Sequence, residues 1–319
     1  MNWKSIFRCA FLIALAARAQ ENSAPSAAGS DPFVRYMESQ GYVARPFDFN
    51  DHYQIVGKIR VEGAEIDCWH DTGAPFSYMS ERTATSVGLQ IQTTNEVIRG
   101  PSGQLVPGRL AVTDDLAAGE IRFGQTPIMI FPSKPGREYF DGALTLGRTE
   151  LIQHAVLIDF GRKLVFLHPD GSAPKSLRKK LRKLGYRAAP LVPLGRLLGV
   201  DTLLDGTPAR LGLDTGSSAI FLDKRWVEAR GIPLNVSTQT LNGIALAATP
   251  VHFAAVTNVQ IAGRSLPVPH LNSFEMGNIP PEEAGLIGNL ALHCYSAILD
   301  LGTQRLYLPE TPAPSAPSY

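Results

Sequence analysis

The sequence predicts a mainly β protein with small helices, built as two pseudo-symmetric lobes in one chain. Landmarks of the first half return in the second at a near-constant offset, and each half carries alternating apolar runs broken by glycine turns. At 319 residues the chain has the length for two lobes of ordinary domain size, each with its own core. A hydrophobic content of 44% with 18% charged residues belongs to a globular chain and not to a disordered one.

The repeat is read directly. Gly41-Tyr42 returns as Gly185-Tyr186, at 185 − 41 = 144. Gly63 returns as Gly206, Asp71-Thr72-Gly73 as Asp214-Thr215-Gly216, Gly88 as Gly231 and Gly100 as Gly243, all at an offset of 143. Leu146-Gly147 matches Ile287-Gly288, and Ile158-Asp159-Phe160-Gly161 matches Leu299-Asp300-Leu301-Gly302, both at 141. So many aligned positions mark a tandem duplication with a net contraction of two residues.

Each copy opens with a short helix, expected over 33–40 and 176–184. Two alternating runs separated by a turn follow: 55–61 and 64–68 around Glu62-Gly63, then 197–204 and 209–213 around Asp205-Gly206. Period-two alternation about a glycine turn is the pattern of a hairpin, so each Asp-Thr-Gly falls where a strand ends and a tight loop begins. Further strands are expected at 121–123, 128–131 and 259–261. Each copy closes on a strand pair, 155–160 with 164–167 and 297–301 with 306–308.

The ends read differently. Residues 1–19 carry Lys4 and Arg8, then an apolar run too short to span a bilayer, then Ala17-Arg18-Ala19 as a cleavage pattern. They are expected to be a signal peptide, which sends the chain to a periplasm or the exterior. Residues 20–31 are expected to be a disordered linker, 32–170 and 171–309 the two lobes, and 310–319 a disordered Pro/Ala/Ser tail. After signal removal no integral membrane segment is expected. A formal net charge of +1 gives no reason to expect nucleic acid as partner. The basic run 175–187 is expected to be a helix with Leu177, Leu181 and Leu184 on one apolar stripe and its charges solvated. Cys68 and Cys294, which survive cleavage, occupy non-equivalent positions in different halves and are expected to be separate buried thiols.

One Asp-Thr-Gly is a common turn; two at equivalent points of a duplicated chain are a chemical signal. A pseudo-twofold arrangement can bring the loops face to face. Two carboxylates a few ångströms apart cannot both ionise, so the pair holds one proton. Such a dyad suits peptide hydrolysis: the ionised member takes a proton from a water, and the protonated member polarises the scissile carbonyl. Gly73 and Gly216 allow close backbone approach, while Thr72 and Thr215 can hydrogen-bond across the interface.

On Asp71-Thr72-Gly73-Ala74, Asp214-Thr215-Gly216-Ser217-Ser218 and the apolar-Gly elements ending at Gly147 and Gly288, the chain resembles the aspartic peptidase superfamily. The resemblance, over roughly 54–167 and 197–308, is to a tandem version of the retropepsin-like lobe arranged as in pepsin-like enzymes. It implies two closed acid-protease β-barrels and an aspartic endopeptidase with Asp71 and Asp214 as catalytic residues. Thr72, Gly73, Ala74, Thr215, Gly216 and Ser217 would support the active-site loops. It implies no cofactor or metal, an extended peptide or protein as substrate, and a glycine-containing flap. Gly100 and Gly103 in the first copy and Gly243 in the second are read either as flap glycines or as ordinary turns.

The sequence departs from the family at several points. His70 stands where Leu213 precedes Asp214, and either faces away or perturbs the dyad. Ala74-Pro75 replaces Ser217-Ser218, so a hydroxyl neighbour is expected only for Asp214, which would then carry more of the negative charge and Asp71 more of the proton. Thr145 interrupts the apolar pair expected before Gly147. No G-x-S-x-G elbow, H-E-x-x-H or paired Cys-x-x-Cys offers another mechanism. Asp159 and Asp300, though equivalent, are expected to cap turns. The rival to an enzyme is a secreted, catalytically inactive pseudo-peptidase binding peptides or proteins between the lobes. Tandem linkage favours a monomer over pairing between chains.

Overall fold

The computed structural model of the protein describes residues 31–99, 105–133, 141–243, 246–277, 279–280 and 282–311. The expected signal peptide lies outside the described residues, as do 20–30 of the linker, 312–319 of the tail, and Gly100 and Gly103. The described residues up to Gln40 form one compact unit and those from Gly41 another.

In the first unit the helix Pro32–Ser39 begins one residue before its expected start. The Asp31 carboxylate accepts the N–H groups of Phe33 at 2.7 Å and Val34 at 3.3 Å, and proline occupies the first helical turn, where its missing N–H costs nothing.

The second unit holds the duplication. Among its described residues, one ten-stranded sheet runs in the order Gln92–Arg99, Leu105–Thr113, Thr126–Phe131, Tyr78–Ser80, Ala143–Gly147, Ala64–Asp71, Ile55–Val61, Leu116–Ala118 and Ile121–Arg122, with Asp48–Phe49 beside Ile55–Val61. The other runs Leu234–Gly243, Leu246–Ala254, Leu271–Phe274, Phe221–Asp223, Gly285–Ile287, Thr207–Leu213, Leu197–Leu204, Asn258–Ile261 and Arg264–Pro267, with Val192–Leu194 beside Leu197–Leu204. Position by position these are the same sheet. The fold is mainly β and two-lobed, as the duplication implies.

A third sheet joins the halves in the order Val43–Pro46, Leu164–Leu167, Leu157–Asp159, Ile298–Asp300, Arg305–Pro309 and Tyr186–Pro190. At its middle Ile158 pairs with Leu299, which is its own counterpart at the repeat offset of 141. A twofold axis between the two strands requires that coincidence. The expected strand ends are trimmed because Ala155 and Ser296, at φ 43° and 52°, turn the chain in the left-handed region just before each strand. Asp159 and Asp300 do cap turns: Asp159 accepts from Arg162 N at 2.9 Å, and Asp300 from Thr303 N at 3.0 Å.

The basic helix spans Leu177–Lys183 and buries Leu177 and Leu181. Leu184 is half-exposed at its C-cap, so the stripe is shorter than the sequence suggests. Four small helices escaped the sequence reading: Glu81–Ser86, Arg148–Gln153, Lys224–Glu228 and Asn289–Cys294. Each has five or six residues, too short to show an apolar period. One buried apolar cluster takes side chains from both halves, from Ile55, Leu146 and Ile158 to Leu211, Ile287 and Leu299. Cys68 and Cys294 sit within it as free thiols, and burial pushes both above the usual thiol range.

Candidate active site

Both Asp-Thr-Gly triplets leave the ends of central strands. Asp71 is the last residue of Ala64–Asp71, and Asp214 directly follows Thr207–Leu213. Each of these strands has a parallel neighbour that ends in the apolar-Gly element, with Gly147 opposite Asp71 and Ile287 opposite Leu213. Those glycines let the loops close down from behind. A Cβ on Gly147 would lie 2.3 Å from the carbonyl carbon of Phe76, and one on Gly288 would lie 2.4 Å from the carbonyl oxygen of Ser217.

The small helix after each glycine then clamps its loop. Arg148 N donates to Ala74 O at 2.8 Å, and Asn289 N to Ser217 O at 3.0 Å. The side chains repeat the theme: Arg148 Nη1 donates to Thr72 O at 3.2 Å and Asn289 Nδ2 to Thr215 O at 2.6 Å. Sequence reasoning missed both residues. Their signal was available, since each is the residue following an apolar-Gly element and each can donate.

The two loops lock through their threonines. Thr72 N donates to Thr215 Oγ1 and Thr215 N to Thr72 Oγ1, both at 3.0 Å. Each hydroxyl then reaches over to the opposite strand: Thr72 Oγ1 to Leu213 O at 2.9 Å and Thr215 Oγ1 to His70 O at 2.7 Å. Both threonines are 1% exposed, so every one of these groups would be orphaned without its partner.

That lock sets the carboxyls face to face. A Cβ on Gly73 would fall 2.4 Å from Asp214 Oδ1, and one on Gly216 would fall 2.5 Å from Asp71 Cγ, so no other residue fits without displacing the opposite carboxyl. The Asp71 and Asp214 carboxyls thus face one another across the loops, and two carboxyls so placed cannot both ionise. Burial raises both carboxyls above their ordinary range, and burial with the charge of Asp71 raises Asp214 well above it.

The donors are unequal. Asp71 Oδ1 accepts from Gly73 N at 2.8 Å and Ala74 N at 3.0 Å, and its Oδ2 from Tyr78 Oη at 3.1 Å. Asp214 Oδ1 accepts from Gly216 N at 2.9 Å. The expected hydroxyl for Asp214 is spent elsewhere, because Ser217 Oγ donates to Ala219 O at 3.3 Å. The premise of the sequence-based assignment, a neighbouring hydroxyl for Asp214 alone, is not met: the side-chain hydroxyl donor, Tyr78, goes to Asp71. Ala74 serves through its backbone N–H and needs no hydroxyl. Tyr78 lies seven residues beyond Asp71, outside the triplet where sequence reasoning looked.

His70 does not touch the carboxyls through any hydrogen bond of the described residues. Its ring packs toward Gly57, with Cε1 3.6 Å from where a Cβ there would sit. Burial lowers its pKa to about 4, so it is neutral above that pH. A narrow gap with no room for a ligand adjoins Asp71, lined by Gln54, Trp69, His70, Tyr78, Thr145, Thr215 and Gly216. Gly243 ends the strand Leu234–Gly243 and pairs with Leu246 across a hairpin. The equivalent hairpin of the first half brings Arg99 opposite Leu105, on either side of the segment holding Gly100 and Gly103.

Two carboxyls face to face at the junction of two like lobes, backed by a threonine lock, form a candidate acid–base dyad. Residues 57–149 match the sequence model of the family described as aspartyl protease. No curated protein sequence matches the chain. Among solved structures, the aspartic proteinase from Irpex lacteus superposes with a TM-score of 0.52 at 12% identity, covering 85% of this chain and 97% of its own. That likeness shows the two-lobed fold. Basic 7S globulin from soybean gives a TM-score of 0.49 at 11% identity over 85% of this chain and 95% of its own. A retropepsin-like aspartic protease from Rickettsia conorii gives 0.29 at 15% identity over 40% of this chain and 90% of its own.

Proposed function

We propose that the protein is an aspartic endopeptidase that hydrolyses peptide bonds with a water activated between Asp71 and Asp214. The observation that carries this reading is the facing pair of carboxyls, Asp71 and Asp214, held in place by the reciprocal bonds of Thr72 and Thr215. In the ground state the dyad holds one proton. The water oxygen forms a bond to the scissile carbonyl carbon while one of its protons passes to the ionised carboxylate. The protonated carboxyl gives its proton to the carbonyl oxygen, which yields a gem-diol. The C–N bond then breaks as one carboxyl protonates the nitrogen and a diol hydroxyl returns a proton to the other. A carboxylic acid and an amine leave, and the dyad again holds one proton.

The substrate is an extended peptide or protein segment laid across the two loops that carry the dyad. Both triplets come from one chain, which supports a monomer. The sequence pattern of residues 1–19 supports a secreted or periplasmic location. The two departures that favoured a binding-only protein weigh little: His70 is neutral above about pH 4, and the Ala74 N–H still donates to Asp71.

The test is incubation of the mature chain with a diverse peptide library between about pH 3 and pH 8. Cleavage that is blocked by a peptide bearing a secondary alcohol at the scissile position is expected, because the alcohol mimics the gem-diol. A folded protein that cuts nothing across this range would overturn the reading.

A further inference from the structure

The twofold symmetry of the site is broken at three pairs of equivalent residues, and all three breaks favour the same side. Tyr78 pairs across its sheet with Thr145. The counterparts at the repeat offsets, 78 + 143 = 221 and 145 + 141 = 286, are Phe221 and Leu286, which pair with each other in the same register. A polar cross-strand pair in the first lobe is thus an apolar pair in the second. The third break lies at 148 + 141 = 289, where Arg148 faces Asn289.

Each difference has an electrostatic consequence for Asp71. Tyr78 Oη donates to Asp71 Oδ2 at 3.1 Å, and Thr145 stands opposite it on the neighbouring strand, where its hydroxyl gives the phenol a polar neighbour. Burial and the charge of Asp71 hold Tyr78 well above its usual range, so it stays a donor throughout the range in which carboxyls titrate. Phe221, packed with Phe274, Met276 and Leu286, has no hydroxyl to offer Asp214. The Arg148 guanidinium, held on Thr72 O, puts a cation near Asp71, where Asn289 puts a neutral amide behind the second loop. The groups facing Asp71 are then Asp214, Tyr78 and Arg148, while the neutral ring of His70 on its own strand is turned toward Gly57. The charge facing Asp214 is that of Asp71.

We infer that Tyr78, oriented by Thr145 and aided by Arg148, fixes which aspartate is ionised: Asp71 holds the negative charge and Asp214 the proton. Tyr78 is a positioning residue acting through Asp71. Joined to the proposed peptidase reading, on which the catalytic part rests, this makes Asp71 the base that takes the water proton. Asp214 is then the acid that protonates the scissile carbonyl oxygen.

The assignment is tested without turnover, in two single-aspartate backgrounds followed by 13C NMR of labelled Asp carboxyls. With Asp214→Asn, adding Tyr78→Phe should weaken the acidity of Asp71 by about tenfold, because a hydrogen bond to the charged form is lost. With Asp71→Asn, the same substitution should leave the titration of Asp214 unchanged. Phenylalanine is the residue the second lobe already packs at this position, so the variant has a native precedent. Thr145→Val should shift Asp71 in the same direction by a smaller factor. An unchanged Asp71, or equal shifts for both aspartates, would overturn the inference. Peptide cleavage bears on the proposed function separately: shifts as expected in a protein that cuts nothing would keep the charge assignment and sink the peptidase reading.

Discussion

Replacing His70 with leucine should make the protein more resistant to acid. The imidazole is 6% exposed, and its Nδ1 has no hydrogen-bond partner among the described residues. Burial lowers its pKa from 6.5 to about 4. The unfolded chain therefore gains a proton below pH 6.5 that the folded chain refuses until about pH 4. The sign is definite: stability present above the ordinary histidine value is lost as pH falls through this window. Applying the linkage relation to those two values gives a loss of about 3 kcal/mol by pH 4 and almost none at about pH 7.5. His70→Leu abolishes that loss, and Leu213 at the equivalent position shows that the fold accepts the side chain. Urea unfolding of parent and variant at both pH values measures the difference directly. The stability gained by the variant should be about 3 kcal/mol larger at pH 4 than at pH 7.5. An equal gain or loss at both would refute the claim that His70 is buried neutral.

Three other perturbations follow from the geometry. Thr215→Val orphans the buried His70 carbonyl and Thr72 N–H, and urea midpoints should show a loss of about 2–4 kcal/mol. Gly216→Ala drives a Cβ to 2.5 Å from Asp71 Cγ, so kcat in a peptide assay should fall by about 10²-fold or more. Glu283 has both carboxyl oxygens buried without a partner among the described residues. Burial, with the charges of Glu282 and Asp223, raises its pKa to about 8. The folded chain keeps this proton after the unfolded chain has lost it, so stability falls as pH rises from 4.5 to about 8. Glu283→Gln should thus stabilise on the order of 2 kcal/mol above pH 8 and leave stability near pH 4 unchanged, as thermal melts across pH will show.

The duplication made the architecture legible, because turn glycines and the Asp-Thr-Gly triplets are local signals that survive divergence. The pairing of Ile158 with Leu299 is implicit in their shared offset. The four small helices were not legible, since one and a half turns carry too few residues for a helical period to emerge. The threonine lock could be read because the repeat itself said that the two loops meet. The unequal support of the carboxyls could not. Ser217 looked like a donor to Asp214 from its position in sequence, but the loop turns its hydroxyl to the Ala219 carbonyl. Tyr78 drew no reading from the sequence, because its approach to Asp71 depends on how the chain returns after the Ala74-Pro75 turn. Side-chain direction after a tight loop is a tertiary property, and a single sequence does not print it.

The most direct test of the account is the rate of peptide cleavage by Asp71→Asn and Asp214→Asn, each measured beside the parent after its fold has been verified. If the two carboxyls act as one dyad, either substitution alone should lower kcat by about 10³-fold or more, with little change in unfolding midpoint. A variant that folds and still cleaves at a rate near the parent's would contradict a mechanism built on both aspartates.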